Sequence, residues 1–88
     1  MFKRLEPQKV QNIEHGYIVQ TQDRFHLRYI DDNRFADIEV EFGEKIYAYP
    51  ATLCKWNNKE QLSEEEKSLI LDRIAKSIAF LGEKVEYI

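Results

Sequence analysis

The apolar residues of this chain change from a strand-like to a helical spacing after Trp56, and that change limits what it can become. From Tyr17 to Trp56 the pattern is strand-like through "YIVQTQ", "RFHLRYI", "FADIEVEF" and "KIYAYPATLCKW", most plainly in "ADIEVEF", where an apolar residue stands at every second position. That is the spacing of strands, whose side chains alternate between two faces, and the β-branched and aromatic content agrees with it. In "LSEEEKSLILDRIAKSIAFLG" the period becomes helical. There Ile70, Ile74, Ile78 and Leu81 fall within about 80° of arc, with Leu71 on one flank and Leu69 and Phe80 on the other.

Local chemistry marks the ends of these elements. Ser63 and Glu66 stand three apart as a capping box, and Glu64 and Glu65 sit where the positive end of the helix dipole favours carboxylates. Gly82 is the expected stop. A helix from Glu64 to Leu81 would run roughly 27 Å, enough to cross a four- or five-stranded sheet. The polar breaks Gln22-Asp23, Asp31-Asp32-Asn33 and Gly43-Glu44-Lys45 each fit a hairpin loop, so the four strand segments read as an antiparallel meander. Pro50 has no amide donor and places its strand at an edge or at a bulge. "KVEYI" alternates again and predicts a short last strand that the helix returns to the sheet. Residues 1–14 read either as a strand, Phe2 to Leu5, or as a frayed arm broken at Pro7. The expected fold is α+β: a meander of about four to five strands, one C-terminal amphipathic helix packed on one face, and a short final strand, in a single domain spanning 1–88.

Composition bounds the function. With 43% apolar and 33% charged residues among 88, the chain can fill one modest core. A net charge of −3 with dispersed Lys and Arg argues against binding nucleic acid or an anionic membrane. No apolar run approaches the roughly 20 residues of a membrane span. The start "MFKRLEPQKV" lacks a signal-peptide core and Cys54 is alone, so the expected location is the cytoplasm. Cys54 reads as a small residue of the core.

Register sharpens the second face. If the loop at Asp32-Asn33 sets the pairing, partner numbers sum to 65. Leu27 then faces Ile38 and Phe25 faces Val40 on the core side. On the outer side Arg28 meets Asp37, His26 meets Glu39 and Arg24 meets Glu41. A three-residue loop at Gly43 to Lys45 places Ile46 opposite Phe42, Ala48 opposite Val40, Tyr47 beside Glu41 and Tyr49 beside Glu39. In the preceding hairpin either Val19 or Ile18 could face Leu27, so the outer side is open to an apolar part. Asp37, Glu39, Glu41, Tyr47 and Tyr49 are the candidate partner-binding residues, since tyrosines among charges suit oriented protein contacts.

Other chemistries fit less well. A catalytic carboxylate pair needs one acid kept neutral by burial or by a like charge, and these acids have cationic partners in the expected register. A row spaced by about 7 Å does not converge on a metal ion. His15 and His26 lie eleven apart with one cysteine, which is no zinc spacing. Three glycines form neither a phosphate loop nor a nucleophile elbow. The expectation is therefore a non-enzymatic chain without metal or cofactor. Trp56, at the head of "WNNKEQLS", reads as a lid on the core.

From Tyr17 to Ile88 the sequence resembles small bacterial toxin-immunity proteins, on the strength of Trp56 closing a strand, Ser63, Glu65, Glu66 and Lys67 opening the helix, and Gly82 before the last strand. The resemblance implies a cytoplasmic protein that binds a cognate toxin and blocks it. An acidic, tyrosine-bearing face would suit the basic cleft of a nuclease toxin. The alternative expectation is a small structural or adaptor protein that self-associates, as a homodimer, through a sheet edge.

Overall fold

Alternation in the sequence becomes alternation in burial. Tyr17, Val19, Leu27, Tyr29, Ala36, Ile38, Val40, Ile46 and Ala48 are all buried, and the residues between them within each strand are half-buried or exposed. The computed structural model describes the whole chain, Met1–Ile88. Its elements are β1 (Phe2–Glu6), β2 (Lys9–Asn12), β3 (Tyr17–Asp23), β4 (His26–Asp31), β5 (Arg34–Phe42), β6 (Ile46–Tyr49), a 3-10 turn at Pro50–Thr52, α1 (Glu64–Phe80) and β7 (Val85–Tyr87). The strands form one seven-stranded sheet in sequence order, antiparallel from β1 to β6, with β7 parallel to β6 after the helical crossover. The sheet curls so that β2 and β7 both approach the helix.

The meander has six strands where the sequence pattern predicts four to five, and with the final strand the sheet has seven. Residues 1–14 form a hairpin, β1 and β2 around Pro7-Gln8, rather than a frayed arm. Pattern reading misses β2 because one of its two core-side residues is polar. Val10 is fully buried, but its companion is Asn12, 7% exposed, whose side chain binds the His15 amide at 2.8 Å and the Tyr17 hydroxyl at 3.4 Å. Phe2 secures β1 by packing its ring against Tyr17 and Phe80.

The helix follows its sequence signals. Ser63 Oγ accepts the Glu66 amide and the Glu66 carboxylate accepts the Ser63 amide, both at 3.0 Å, completing the capping box. At the other end Gly82, at φ 82°, sends its amide to Ala79 while Glu83 reaches Ile78, a Schellman closure. Ile70, Ile74 and Ile78 bury against the sheet, each contributing about 1.5–3 kcal/mol of apolar transfer. Leu69 and Phe80, expected on the flank of that face, remain about half exposed because the curled sheet covers a narrower arc. Ser63→Ala should lower stability by about 0.5–2 kcal/mol, read as a lower urea midpoint with an unchanged slope.

Polar side chains tie the layers together. Arg73 on α1 donates to the Tyr29 hydroxyl at 2.7 Å and lies over the Tyr17 ring, and Tyr29 in turn donates to Asp31 at 3.1 Å. The Tyr87 hydroxyl donates to the Leu71 carbonyl, joining β7 to the helix. Trp56 is buried beside Tyr29 under the guanidinium of Arg34, as a lid on the core should be. Cys54, by contrast, is exposed and not in the core. The buried positions of its segment are Leu53 and Trp56, three apart, so simple alternation no longer applies after the 3-10 turn.

Candidate functional site

The outer face of the sheet begins with the predicted register. Leu27 pairs with Ile38, Arg28 with Asp37 and His26 with Glu39, and across the next ladder Glu39 pairs with Tyr49, Val40 with Ala48, Glu41 with Tyr47 and Phe42 with Ile46. Asp37, Glu39, Glu41, Tyr47 and Tyr49 are therefore neighbours on one surface. Strand pairing also brings Glu86 of β7 beside Tyr47, a residue that sequence reading does not place there. Alternation in "KVEYI" turns Glu86 outward, but only the parallel pairing with β6 puts it at this corner.

The charge pairing differs from expectation in two of its three places. Arg28 forks onto Asp37, Nε to Oδ1 at 2.8 Å and Nη2 to Oδ2 at 3.0 Å, while its guanidinium lies 3.7 Å from the centre of the Phe35 ring. His26 turns its Nδ1 to Asp23 at 2.9 Å and leaves Glu39. Arg24 does not meet Glu41, because the turn of this hairpin lies at Arg24-Phe25 and not at Gln22-Asp23. The cause is local: Asp23 accepts the Phe25 amide at 2.8 Å, and the His26 contact, seconded by that bond, holds its carboxyl below the usual range. The register shift between Thr21 and Asp23 completes the change. Phe25 keeps its backbone bond to the Val40 amide, yet its side chain is 58% exposed at the hairpin tip, outside the core assigned to it.

Glu39 and Glu41 are thus exposed carboxylates outside any ion pair of this chain. The Tyr49 hydroxyl donates to Glu41 at 2.8 Å, reaching along the face past its cross-strand neighbour Glu39. That bond, with burial and the two nearby negative charges, raises the Tyr49 pKa. Glu86 has only Lys45, at 3.9 Å between two exposed groups, a contact of little energetic weight. On the other half of the face Ile18 pairs with Ile30 and Ile30 with Phe35, a half-buried apolar row. Neither Val19 nor Ile18 faces Leu27: Thr21 does, while Val19 turns inward opposite Tyr29 and Ile18 pairs with Ile30 on the outer side.

Pro50 neither lies at an open edge nor makes a bulge. It ends β6 and starts the 3-10 turn, where a missing amide costs nothing. That turn delivers Thr52, whose hydroxyl accepts the Glu39 amide at 2.9 Å and donates to the Tyr49 carbonyl at 2.6 Å. One side chain thereby stands in for a rung of the ladder beneath the Glu39–Tyr49 pair. Thr52→Val, which keeps the shape and removes the bridge, should cost about 1–3 kcal/mol, and Thr52→Ser much less. Equal urea midpoints for the two variants would show that the bridge does not matter.

Elsewhere, a cavity of about 40 Å³ lies between strands β2 to β6 and the end of α1. Its lining includes one carboxylate, Glu83, and neither histidine. No three His, Cys, Asp or Glu side chains converge as metal ligands would, and no helix is long and apolar enough to cross a membrane. Comparison with protein-family models, curated proteins and solved structures finds no match to this chain.

Proposed function

We propose that the chain is a non-enzymatic, cytoplasmic protein-binding module of the immunity type, which neutralises a cognate bacterial toxin by docking the outer face of its sheet on a basic surface. The observation that carries this reading is the corner where Glu39, Glu41 and Glu86 surround Tyr47 and Tyr49 with little cationic compensation from the chain itself. Carboxylates with so little cationic compensation steer a basic partner and pair with it on contact, while tyrosines supply ordered contact area at small entropic cost. The adjoining Ile18–Ile30–Phe35 row adds apolar area, the usual complement of a polar rim.

Reversing Glu39 and Glu41 to lysine together with Tyr49→Ala should weaken binding to a basic toxin encoded beside this gene by about 30- to 1,000-fold, with circular dichroism unchanged. Unchanged affinity in the folded triple variant would overturn the reading.

The second reading, an adaptor that self-associates through a sheet edge, draws on β1, which has a neighbour on one side only and carries the exposed Leu5. Lys3, Arg4 and Glu6 and a register shift on the same strand are features that discourage edge pairing. Light scattering separates the two: a monomer favours docking by the face, and a dimer broken by Leu5→Lys favours the edge.

A further inference from the structure

Resting on the reading of this face as a docking surface, we infer that the corner of Glu39, Glu41, Tyr47, Tyr49 and Glu86 takes arginine side chains of its protein partner in preference to lysines. The chain itself shows the chemistry twice. Arg28 is held between the Phe35 ring, 3.7 Å from its guanidinium carbon, and the carboxylate of Asp37. Arg34 lies 3.9 Å over the Trp56 ring with its Nη2 3.5 Å from Glu66. Each is a guanidinium with an aromatic ring and a carboxylate as its partners. The corner places the same two components together, two phenol rings and three carboxylates, with no arginine of the chain reaching them. Arg28, Arg34 and Arg73 are held by the contacts already described, Arg4 donates to the Pro7 carbonyl, and Arg24 stands at the β3–β4 tip.

Spacing supports the fit. Glu39 and Glu41 are two residues apart on one strand, about 7 Å, and Tyr49 and Tyr47 lie opposite them about 5 Å away, with Glu86 one strand further on. A planar guanidinium can lie on a phenol ring and still donate sideways to a carboxylate. An ammonium is more strongly hydrated and has no plane to stack, so it gains less from the rings. The tyrosines therefore set the preference between the two cations, and the carboxylates set the overall attraction.

The test is a titration of the isotope-labelled full chain, followed by amide chemical shifts, with a blocked Gly-Arg-Gly-Arg-Gly peptide and its lysine twin at equal, near-physiological ionic strength. The expected result is shifts centred on Glu39 to Glu41, Tyr47 to Tyr49 and Glu86, with the arginine peptide binding about two- to fivefold tighter per engaged side chain. Tyr47→Ala with Tyr49→Ala should remove the preference while leaving weak binding of both peptides, and the paired Tyr→Phe changes should retain it. These side chains lie on the outer face, so the fold should tolerate their replacement. Equal affinities at the same residues would overturn the arginine preference and leave the docking reading standing. Shifts elsewhere, or none from either peptide, would overturn the inference about this corner, whereas the docking reading falls only if the charge-reversed triple variant keeps its toxin affinity.

Discussion

Replacing Trp56 by alanine should lower the unfolding free energy by about 3–5 kcal/mol, a large part of the roughly 5–15 kcal/mol expected for a domain of this size. The indole is 3% exposed, packs at a tilt against Tyr29, supports Arg34 on its ring and closes the core where the chain leaves the sheet for the helix. Its removal leaves a void bounded by a buried tyrosine and frees Arg34, and with it the Arg34–Glu66 contact at the helix start. Trp56→Phe should cost much less than Trp56→Ala. The indole Nε1 is buried without an acceptor at hydrogen-bonding geometry, so phenylalanine sheds an unsatisfied donor along with some volume. The Ser63 amide is the main group that holds the Glu66 carboxyl below its usual range, with the nearby indole N–H a lesser one, and phenylalanine leaves the Ser63 amide in place. Urea unfolding followed by circular dichroism reads both variants. Equal losses would show that the indole N–H has a partner after all.

The second large effect is loss of stability in alkali. Burial pushes the Tyr29 phenol up to about 12, with the Asp31 charge adding to it and the Arg73 bond opposing. Burial, with Asp72 behind it, raises Tyr87 further in the same direction. In the unfolded chain a tyrosine ionises near 10. Below about pH 10 both states keep these protons and the two phenols add no pH dependence. Above it the unfolded chain releases protons that the folded chain retains, so stability falls by about 1.4 kcal/mol per pH unit for each such tyrosine. Between about pH 10 and 12 Tyr29 alone should cost about 2–3 kcal/mol, with Tyr87 adding to the loss. Urea midpoints taken across that window should decline steeply, and Tyr29→Phe and Tyr87→Phe should each flatten the decline. A midpoint that stays level to pH 12, or an absorbance titration in which no phenol waits for unfolding, would refute the assignment.

The same two features show how far residues alone can be followed. Trp56 is recognisable as a lid because a large apolar side chain at the boundary between two periods has nowhere else to go. Tyr29 is recognisable only as a core residue. Its link to Arg73, 44 positions away, requires the helix to lie across β4, and sequence spacing says nothing about that distance. Hairpin register was legible wherever both faces had to be satisfied together, as from His26 to Asp31 against Arg34 to Glu39. It failed at Phe25, where an aspartate captures the next amide but one and moves the turn by two residues.

What the sequence determined by itself was local: strands from Tyr17, the capped helix from Glu64 to its stop at Gly82, most of the core-facing set, with Phe25, Phe42 and Cys54 as the exposed exceptions, and the row of Asp37, Glu39 and Glu41 beside Tyr47 and Tyr49. These follow from side-chain period and backbone capping, which act over a few residues. Tertiary structure decided the rest. It added the β1–β2 hairpin, held by Phe2 and Val10 against distant partners, and it brought Glu86 to the corner. It also chose, among several cations within reach of one row of acids, that Arg28 alone would pair, because the Phe35 ring beneath its guanidinium and the fork onto Asp37 hold it there, while His26 and Arg24 follow the hairpin tip away. The charge of the face therefore depends on which partners the fold brings within bonding distance, and residue order alone does not contain those distances.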